Sequence, residues 1–125
     1  MTKILIVEDD ITLLRLYQDI FNKEGFEVAI AEDGQEALQK ANAFLPEVIL
    51  LDLMLPYMDG FAVLEAVKAN PKTKKAKIII ATNLDSQKQR EKAKNLGAAA
   101  FLVKFSDTPG NIVEEVKKLL STHNH

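Results

Sequence analysis

Val48-Ile49-Leu50-Leu51-Asp52 is a run of apolar residues closed by a carboxylate, and its reading decides the fold. A run with no polar alternation suits a central parallel strand covered on both faces. The acid that ends it then stands at the edge of a sheet. An earlier run, Ile4-Leu5-Ile6-Val7, ends the same way, in Glu8-Asp9-Asp10. Like charges brought together at strand ends destabilise a fold unless something cationic sits between them. The two runs together describe a chain built to hold a metal beside a nucleophilic aspartate.

Outward from these runs, short apolar stretches alternate with longer amphipathic ones five times. Ile4 to Val7 leads into a helical pattern that puts Ile11, Leu14, Tyr17, Ile20 and Phe21 on one face and stops before Gly25, an αL cap. Phe26 to Ala31 reads as a second strand, less buried because of Glu27; Asp33 and Glu36 then open a helix that Pro46 closes. After Val48 to Leu51, a loop with Pro56 and Asp59-Gly60 precedes a helix burying Phe61, Leu64 and Val67 and ending near Asn70-Pro71. Ile78 to Ala81 is the fourth strand, and Asp85 is the expected cap of a strongly polar fourth helix reaching about Leu96-Gly97. Ala99 to Val103 is the fifth strand. Thr108-Pro109 starts a last helix burying Ile112, Val116, Leu119 and Leu120. Parallel neighbours cannot be joined by tight hairpins, so five strand-helix units predict a parallel sheet with right-handed crossovers in a three-layer α/β sandwich. A closed eight-stranded barrel needs about twice this length.

Composition sets the background. A chain of 125 residues, 47% of them hydrophobic, suits one domain with a substantial core. With no cysteine, there is neither a disulfide framework nor a thiolate metal site. No apolar run is long enough for a membrane helix, and Met1-Thr2-Lys3 leaves no room for a signal peptide before the first strand. A cytoplasmic protein, with no membrane association, is expected. The net charge of −2 gives no reason to expect direct nucleic-acid binding, and Lys72, Lys74, Lys75 and Lys77 read as a solvated loop.

In open parallel sheets, ligands sit outside the carboxyl ends of the strands where strand order reverses. Glu8 and Asp9 follow the first strand, Asp52 ends the third, Thr82 ends the fourth and Lys104 follows the fifth. Singly, each has an ordinary structural explanation as a cap, a strand-end residue or a solvated lysine. As a set they bring three carboxylates, a hydroxyl and an ammonium from four strands to one edge. Such a set suits phosphoryl transfer. Mg²⁺ or Mn²⁺ takes oxygen ligands, an aspartate can become an aspartyl phosphate, and Lys104 with Thr82 can stabilise charge on the equatorial oxygens. His123 and His125 lie in the tail, but an ionised aspartate needs no general base.

Four stretches, Ile4-Leu5-Ile6-Val7-Glu8-Asp9, Leu50 to Gly60, Ile79-Ile80-Ala81-Thr82 and Phe101-Leu102-Val103-Lys104, resemble the response-regulator receiver domain of two-component signalling, CheY-like in fold. The resemblance covers essentially the whole chain. It implies a flavodoxin-like sheet of order 2-1-3-4-5 with five helices, a receiver domain over residues 1–122 and a tail over 123–125. It implies that Asp52 is the phosphoacceptor, supplied by a histidine kinase or histidine phosphotransfer protein. Asp9 is then the direct metal ligand, Glu8 acts mainly through water, and Asp52 and the Met54 carbonyl complete the set. Asp10 falls outside the acid pair and caps the first helix. Thr82 and Phe101 take the switch positions. The fourth helix, fifth strand and fifth helix form the output face, with Gln87, Arg90, Lys94 and Phe101 as contacts. The chain is then a signalling phosphoacceptor and not an enzyme in the ordinary sense, a monomer or a phosphorylation-dependent dimer.

The sequence departs from the family in two places. Receivers usually carry proline after the site lysine, often through a cis bond; here Phe105 follows. A cis bond to a non-proline residue costs about 2.5 to 4 kcal/mol, so a trans bond is expected, with Lys104 still reaching the site but less rigidly placed. Asn83 follows Thr82 where a smaller residue is usual, and would narrow access to the site. Met54 and Leu84 flank positions that influence hydrolysis; neither can orient a water, so the resemblance implies a long-lived phosphoaspartate. Among other classes, a phosphatase of the haloacid dehalogenase type would need an acid where Met54 stands. A flavodoxin would need a phosphate-cradling loop where Asp9-Asp10-Ile11-Thr12-Leu13 stands. A receiver-fold interaction module working without phosphorylation is the remaining alternative, opposed by the retention of Glu8, Asp9, Asp52, Thr82 and Lys104.

Overall fold

A computed structural model describes residues 1–106 and 108–122; Asp107 and the tail histidines lie outside the described residues. Its strands are β1 (Lys3–Val7), β2 (Glu27–Ala31), β3 (Val48–Leu51), β4 (Lys77–Thr82) and β5 (Ala100–Val103). They alternate with helices α1 (Ile11–Lys23), α2 (Gly34–Phe44), α3 (Gly60–Ala69), α4 (Gln87–Asn95) and α5 (Pro109–Thr122), and a single 3-10 turn, Lys104–Ser106, follows β5. All pairings are parallel, in the order β2-β1-β3-β4-β5. The chain leaves β1 for β2 on one side and returns to β3 on the other, which places the reversal point between β1 and β3.

Because successive strand side chains face opposite ways, the apolar runs supply two cores. Leu5, Val7, Ile49, Leu51, Ile78 and Ile80 pack on one side with Ala37, Phe61 and Leu64 of α2 and α3. Ile4, Ile6, Val48, Leu50 and Ile79 pack on the other with Tyr17 and Phe21 of α1 and Val116 of α5. β3 is buried along its whole length, as an uninterrupted apolar run requires.

The helix ends show local chemistry at work. Asp10 Oδ1 accepts from the N–H groups of Thr12 and Leu13 at 3.0 and 3.2 Å, and Thr108 Oγ1 accepts from Asn111 N–H at 3.1 Å. Asp33 Oδ1 accepts from Glu36 N–H at 2.8 Å, while the Glu36 carboxylate reaches Glu32 N–H rather than Asp33. Gly25 takes the left-handed φ of 91° after α1. Two expectations are corrected. The cap of α4 is Ser86, whose hydroxyl accepts from Gln89 N–H at 3.2 Å; Asp85 is instead paired with Arg90 at 2.7 Å. Ile11 does not join the buried face of α1 and is 46% exposed, because the first turn rises past the end of the sheet. Lys72, Lys74 and Lys75 are exposed as read, but Lys77 is not part of that solvated loop: it starts β4, is half-buried, and donates through Nζ to the Leu119 carbonyl at 3.2 Å. Among the described residues no helix is long and apolar enough to cross a membrane.

Candidate functional site

Register builds the site. Val7 lies beside Leu51, so the next residues along, Glu8 and Asp52, emerge side by side at the reversal point. The ladder continues one step past the strands, with Asp52 N–H donating to the Val7 carbonyl and Glu8 N–H to that of Ala31. Thr82 lies beside Val103, so Lys104 leaves β5 at the same edge. Carboxylate oxygens of Glu8, Asp9 and Asp52 lie within 4.8 Å of one another. Asp9 is exposed, whereas Glu8 is 3% and Asp52 5% exposed.

The cation that charge repulsion demands is Lys104. Its Nζ donates to Glu8 Oε1 at 2.6 Å and to Asp52 Oδ2 at 2.7 Å. It does so with Phe105, not proline, after it, and among the described residues no peptide bond is cis. The remaining acceptors are also engaged: Asp52 Oδ1 takes the N–H of Met54 at 3.0 Å, and Glu8 Oε2 that of Asp10 at 3.1 Å. Burial pushes the Glu8 carboxyl above the usual range, with Lys104 opposing and Asp52 adding to the rise. Burial pulls the Lys104 ammonium down, but the hydrogen bonds and charges of Asp52 and Glu8 outweigh it and hold the group above a free lysine. Three carboxylates facing one ammonium leave an all-oxygen donor set with negative charge uncompensated. That set fits a hard divalent cation such as Mg²⁺ or Mn²⁺.

Of the other site residues read from sequence, Thr82 and Met54 stand at the same sheet edge, and Phe101 lies two residues short of it on β5. Thr82 is fully buried at the end of β4, and its Oγ1 accepts from Leu84 N–H at 3.2 Å. That leaves its own O–H to donate. Met54 presents its N–H to Asp52 while its side chain is 54% exposed. Phe101 is half-buried on β5, with the Arg90 guanidinium 5.0 Å from its ring centroid. Asn83 has a buried Oδ1 that meets no donor among the described residues.

Two neighbours escaped the sequence reading. Gly60 begins α3 so close to β3 that a Cβ there would lie 2.5 Å from the Asp52 carbonyl oxygen; Asp59-Gly60 read as a loop and as the end of the Leu50 to Gly60 stretch, with no role at the site. Tyr17 read as core, yet its phenol is pushed upward by burial and then by the charges of Glu8 and Asp52. A group whose neutral form is favoured by folding keeps its proton while the unfolded chain loses it. Stability of the metal-free protein is therefore expected to fall as pH rises above about 10, by up to about 1.4 kcal/mol per pH unit from Tyr17 alone. The Lys104 ion pair adds a second loss, intact below the ordinary lysine value of 10.5 and vanishing as pH passes its raised one. Urea unfolding in EDTA at stepped alkaline pH measures both. Tyr17→Phe should flatten the slope between pH 10 and 11, and an unchanged slope would contradict this account.

A doubly wound α/β sandwich carrying an acidic strand-end pocket, bridged by a lysine, is the class of module that the fold and the site define. A family model described as the response regulator receiver domain matches residues 4–117, and the chain belongs to that family, the receiver module of two-component systems. It is 34% identical over 119 residues to chemotaxis protein CheY of Thermotoga maritima, covering 94% of this chain and 96% of that protein. It is 39% identical over 105 residues to response regulator PleD of Caulobacter vibrioides, covering 84% of this chain; the match spans 23% of PleD. Among solved structures, chemotaxis protein CheY4 of Vibrio cholerae superposes with a TM-score of 0.88 at 31% identity, over 95% of this chain and 98% of that one. Receiver domains are signalling phosphoacceptors rather than enzymes in the ordinary sense.

Proposed function

We propose that residues 1–122 act as one receiver unit in which Asp52 accepts a phosphoryl group from the phosphohistidine of a histidine kinase or phosphotransfer protein in the cytoplasm. The observation that carries this reading is the convergence of Glu8, Asp9 and Asp52 within 4.8 Å, with Lys104 Nζ on two of them. Glu8, Asp9, Asp52 and the Met54 carbonyl would hold Mg²⁺ or Mn²⁺, which when bound offsets charge on the phosphoryl oxygens. An Asp52 carboxylate oxygen attacks phosphorus, forming an O–P bond as the P–N bond to imidazole breaks; the imidazole nitrogen keeps the electron pair and takes up a proton. Lys104 follows the developing charge from a position already 2.7 Å from Asp52. The Thr82 hydroxyl donates to a second oxygen.

The same donation is the switch. A phosphoryl group adds about −1.5 to −2 charges and three acceptors, drawing Thr82 from Leu84 and freeing space for Phe101. Arg90 stacks on that ring and is bonded to Asp85. Inward movement of Phe101 therefore rearranges the α4-β5-α5 surface, where Gln87, Arg90 and Lys94 meet an output partner or a second copy. Incubation with acetyl phosphate and Mg²⁺ should add one phosphoryl group to the wild type by intact mass and none to Asp52→Asn, with EDTA suppressing the gain. No adduct, or one that survives the substitution, would overturn the reading.

A further inference from the structure

Tyr57 is held entirely in solvent, 101% exposed, at a backbone φ of 70°. The N–H of Met58 donates to the Pro56 carbonyl at 2.8 Å. Tyr57 is thus the central residue of a positive-φ γ-turn, a rare and strained form that glycine or asparagine adopts with less penalty. The loop cannot relax, because it is fixed on both sides. Met54 N–H is bonded to Asp52, Gly60 N–H donates to the Leu53 carbonyl at 2.9 Å, and the Met58 side chain packs over Gly34.

Three more large apolar residues are exposed in segments leaving the same edge of the sheet: Ile11 after β1, Met54 after β3 and Leu84 after β4, at 46, 54 and 38%. Asp52, which follows β3 at that edge, is 5% exposed. Any donor protein that brings a phosphoryl group to Asp52 must close over this edge.

We propose that Tyr57 is the aromatic anchor by which a phosphohistidine-bearing protein docks over the Asp52 pocket, an inference that rests on Asp52 being the phosphoacceptor. Rigid aromatic side chains lose little conformational entropy on binding and dominate interface energetics. The anchored turn fixes the backbone that carries the ring before the encounter. Charge selects the occupant. Asp9, Asp10 and Asp59 are exposed along this edge, so the partner carries an apolar ridge flanked by lysine or arginine. A second copy of this chain would present the same acids and be repelled.

The test compares a small donor with a protein donor. Acetyl phosphate does not need the docking edge, so it should label wild type, Tyr57→Ala and Tyr57→Phe at rates within twofold. Autophosphorylated histidine kinases from the organism that carries this chain are then assayed by labelled-phosphate transfer. The kinase that serves the wild type should transfer at least tenfold more slowly to Tyr57→Ala, in kcat/KM, and near normally to Tyr57→Phe. Equal transfer to Tyr57→Ala, or no transfer from any kinase to a wild type that acetyl phosphate labels, would overturn the docking role. Failure of acetyl phosphate to label the wild type would instead overturn Asp52 as acceptor, and the docking role with it.

Discussion

Replacing Lys104 by alanine is expected to cost the metal-free protein about 3 kcal/mol of stability near pH 8, the low end for removing one partner from a buried ion pair. The Lys104 side chain is 12% exposed, and those of its partners Glu8 and Asp52 are 4% and 5% exposed. Without it, two carboxylates share the strand ends with no counter-charge. Three further results follow from the same cause. Mg²⁺ should restore much of the loss, since a ligand at a hundred times its Kd adds about 2.7 kcal/mol to the folded state. Acid should narrow the gap between variant and wild type: burial and Asp52 already hold the Glu8 carboxyl high, Lys104 is what opposes them, and an acid with a raised folded pKa loses stability as pH rises through it. Adding Glu8→Gln to Lys104→Ala should recover part of the stability, because the repulsion between the two buried carboxylates is then gone. Urea unfolding in EDTA, in Mg²⁺ and at stepped acid pH measures all three. Wild-type stability of Lys104→Ala in EDTA would show that Lys104 is not the counter-charge.

The sheet was legible because its strands are apolar without alternation. Val48 to Leu51 has to be covered on both faces, and that alone excludes a solvent-facing antiparallel strand. Helix ends were legible where a single side chain decides them, as at Asp10, Asp33 and Thr108. The α4 start was misread because Asp85 and Ser86 are both good caps; the adjacent Arg90, one turn into the helix, takes the aspartate and leaves the serine. Ile11 was misread because periodicity counts faces and does not know where the sheet beneath a helix ends.

The site was legible as a set of residue types at strand ends, not as a set of bonds. Glu8 illustrates the difference. From the family pattern it acts mainly through water beside a metal, yet in the metal-free chain it is the nearer of the two carboxylates to Lys104, at 2.6 Å. That pair joins residues 96 apart in sequence, and only the register of β1, β3, β4 and β5 brings them together. The stacking of Arg90 on Phe101 depends likewise on how α4 lies along β5, and the γ-turn at Tyr57 on how Met58 is seated over Gly34.

Gly60→Ala is expected to damage fold and site together. A Cβ at Gly60 would stand 2.5 Å from both the Asp52 carbonyl oxygen and Leu53 Cα, and 3.1 Å from the Asp52 carbonyl carbon. These are backbone atoms at the end of the most buried strand, so no side chain can swing aside. Either α3 retreats, breaking the Gly60 N–H to Leu53 bond and loosening Phe61, Val63 and Leu64, or Asp52 is displaced. Overpacking of this severity costs about 3 kcal/mol, which for a chain of this size lowers Tm by roughly 10 °C. Misplacement of a reacting group by about 1 Å can cost about a hundredfold in rate, so labelling of the surviving folded protein by acetyl phosphate should fall at least tenfold. Gly110→Ala is the matched control. Within α5 its Cβ would meet nothing nearer, among the described residues, than Thr108 Oγ1 at 3.9 Å, and alanine there should be neutral or stabilise by about 0.5 to 1 kcal/mol. Thermal unfolding and labelling of the two variants side by side separate a general cost of adding a methyl group from a clash at the nucleophile. Wild-type Tm and labelling in Gly60→Ala would mean that α3 and β3 are less tightly joined than this packing requires.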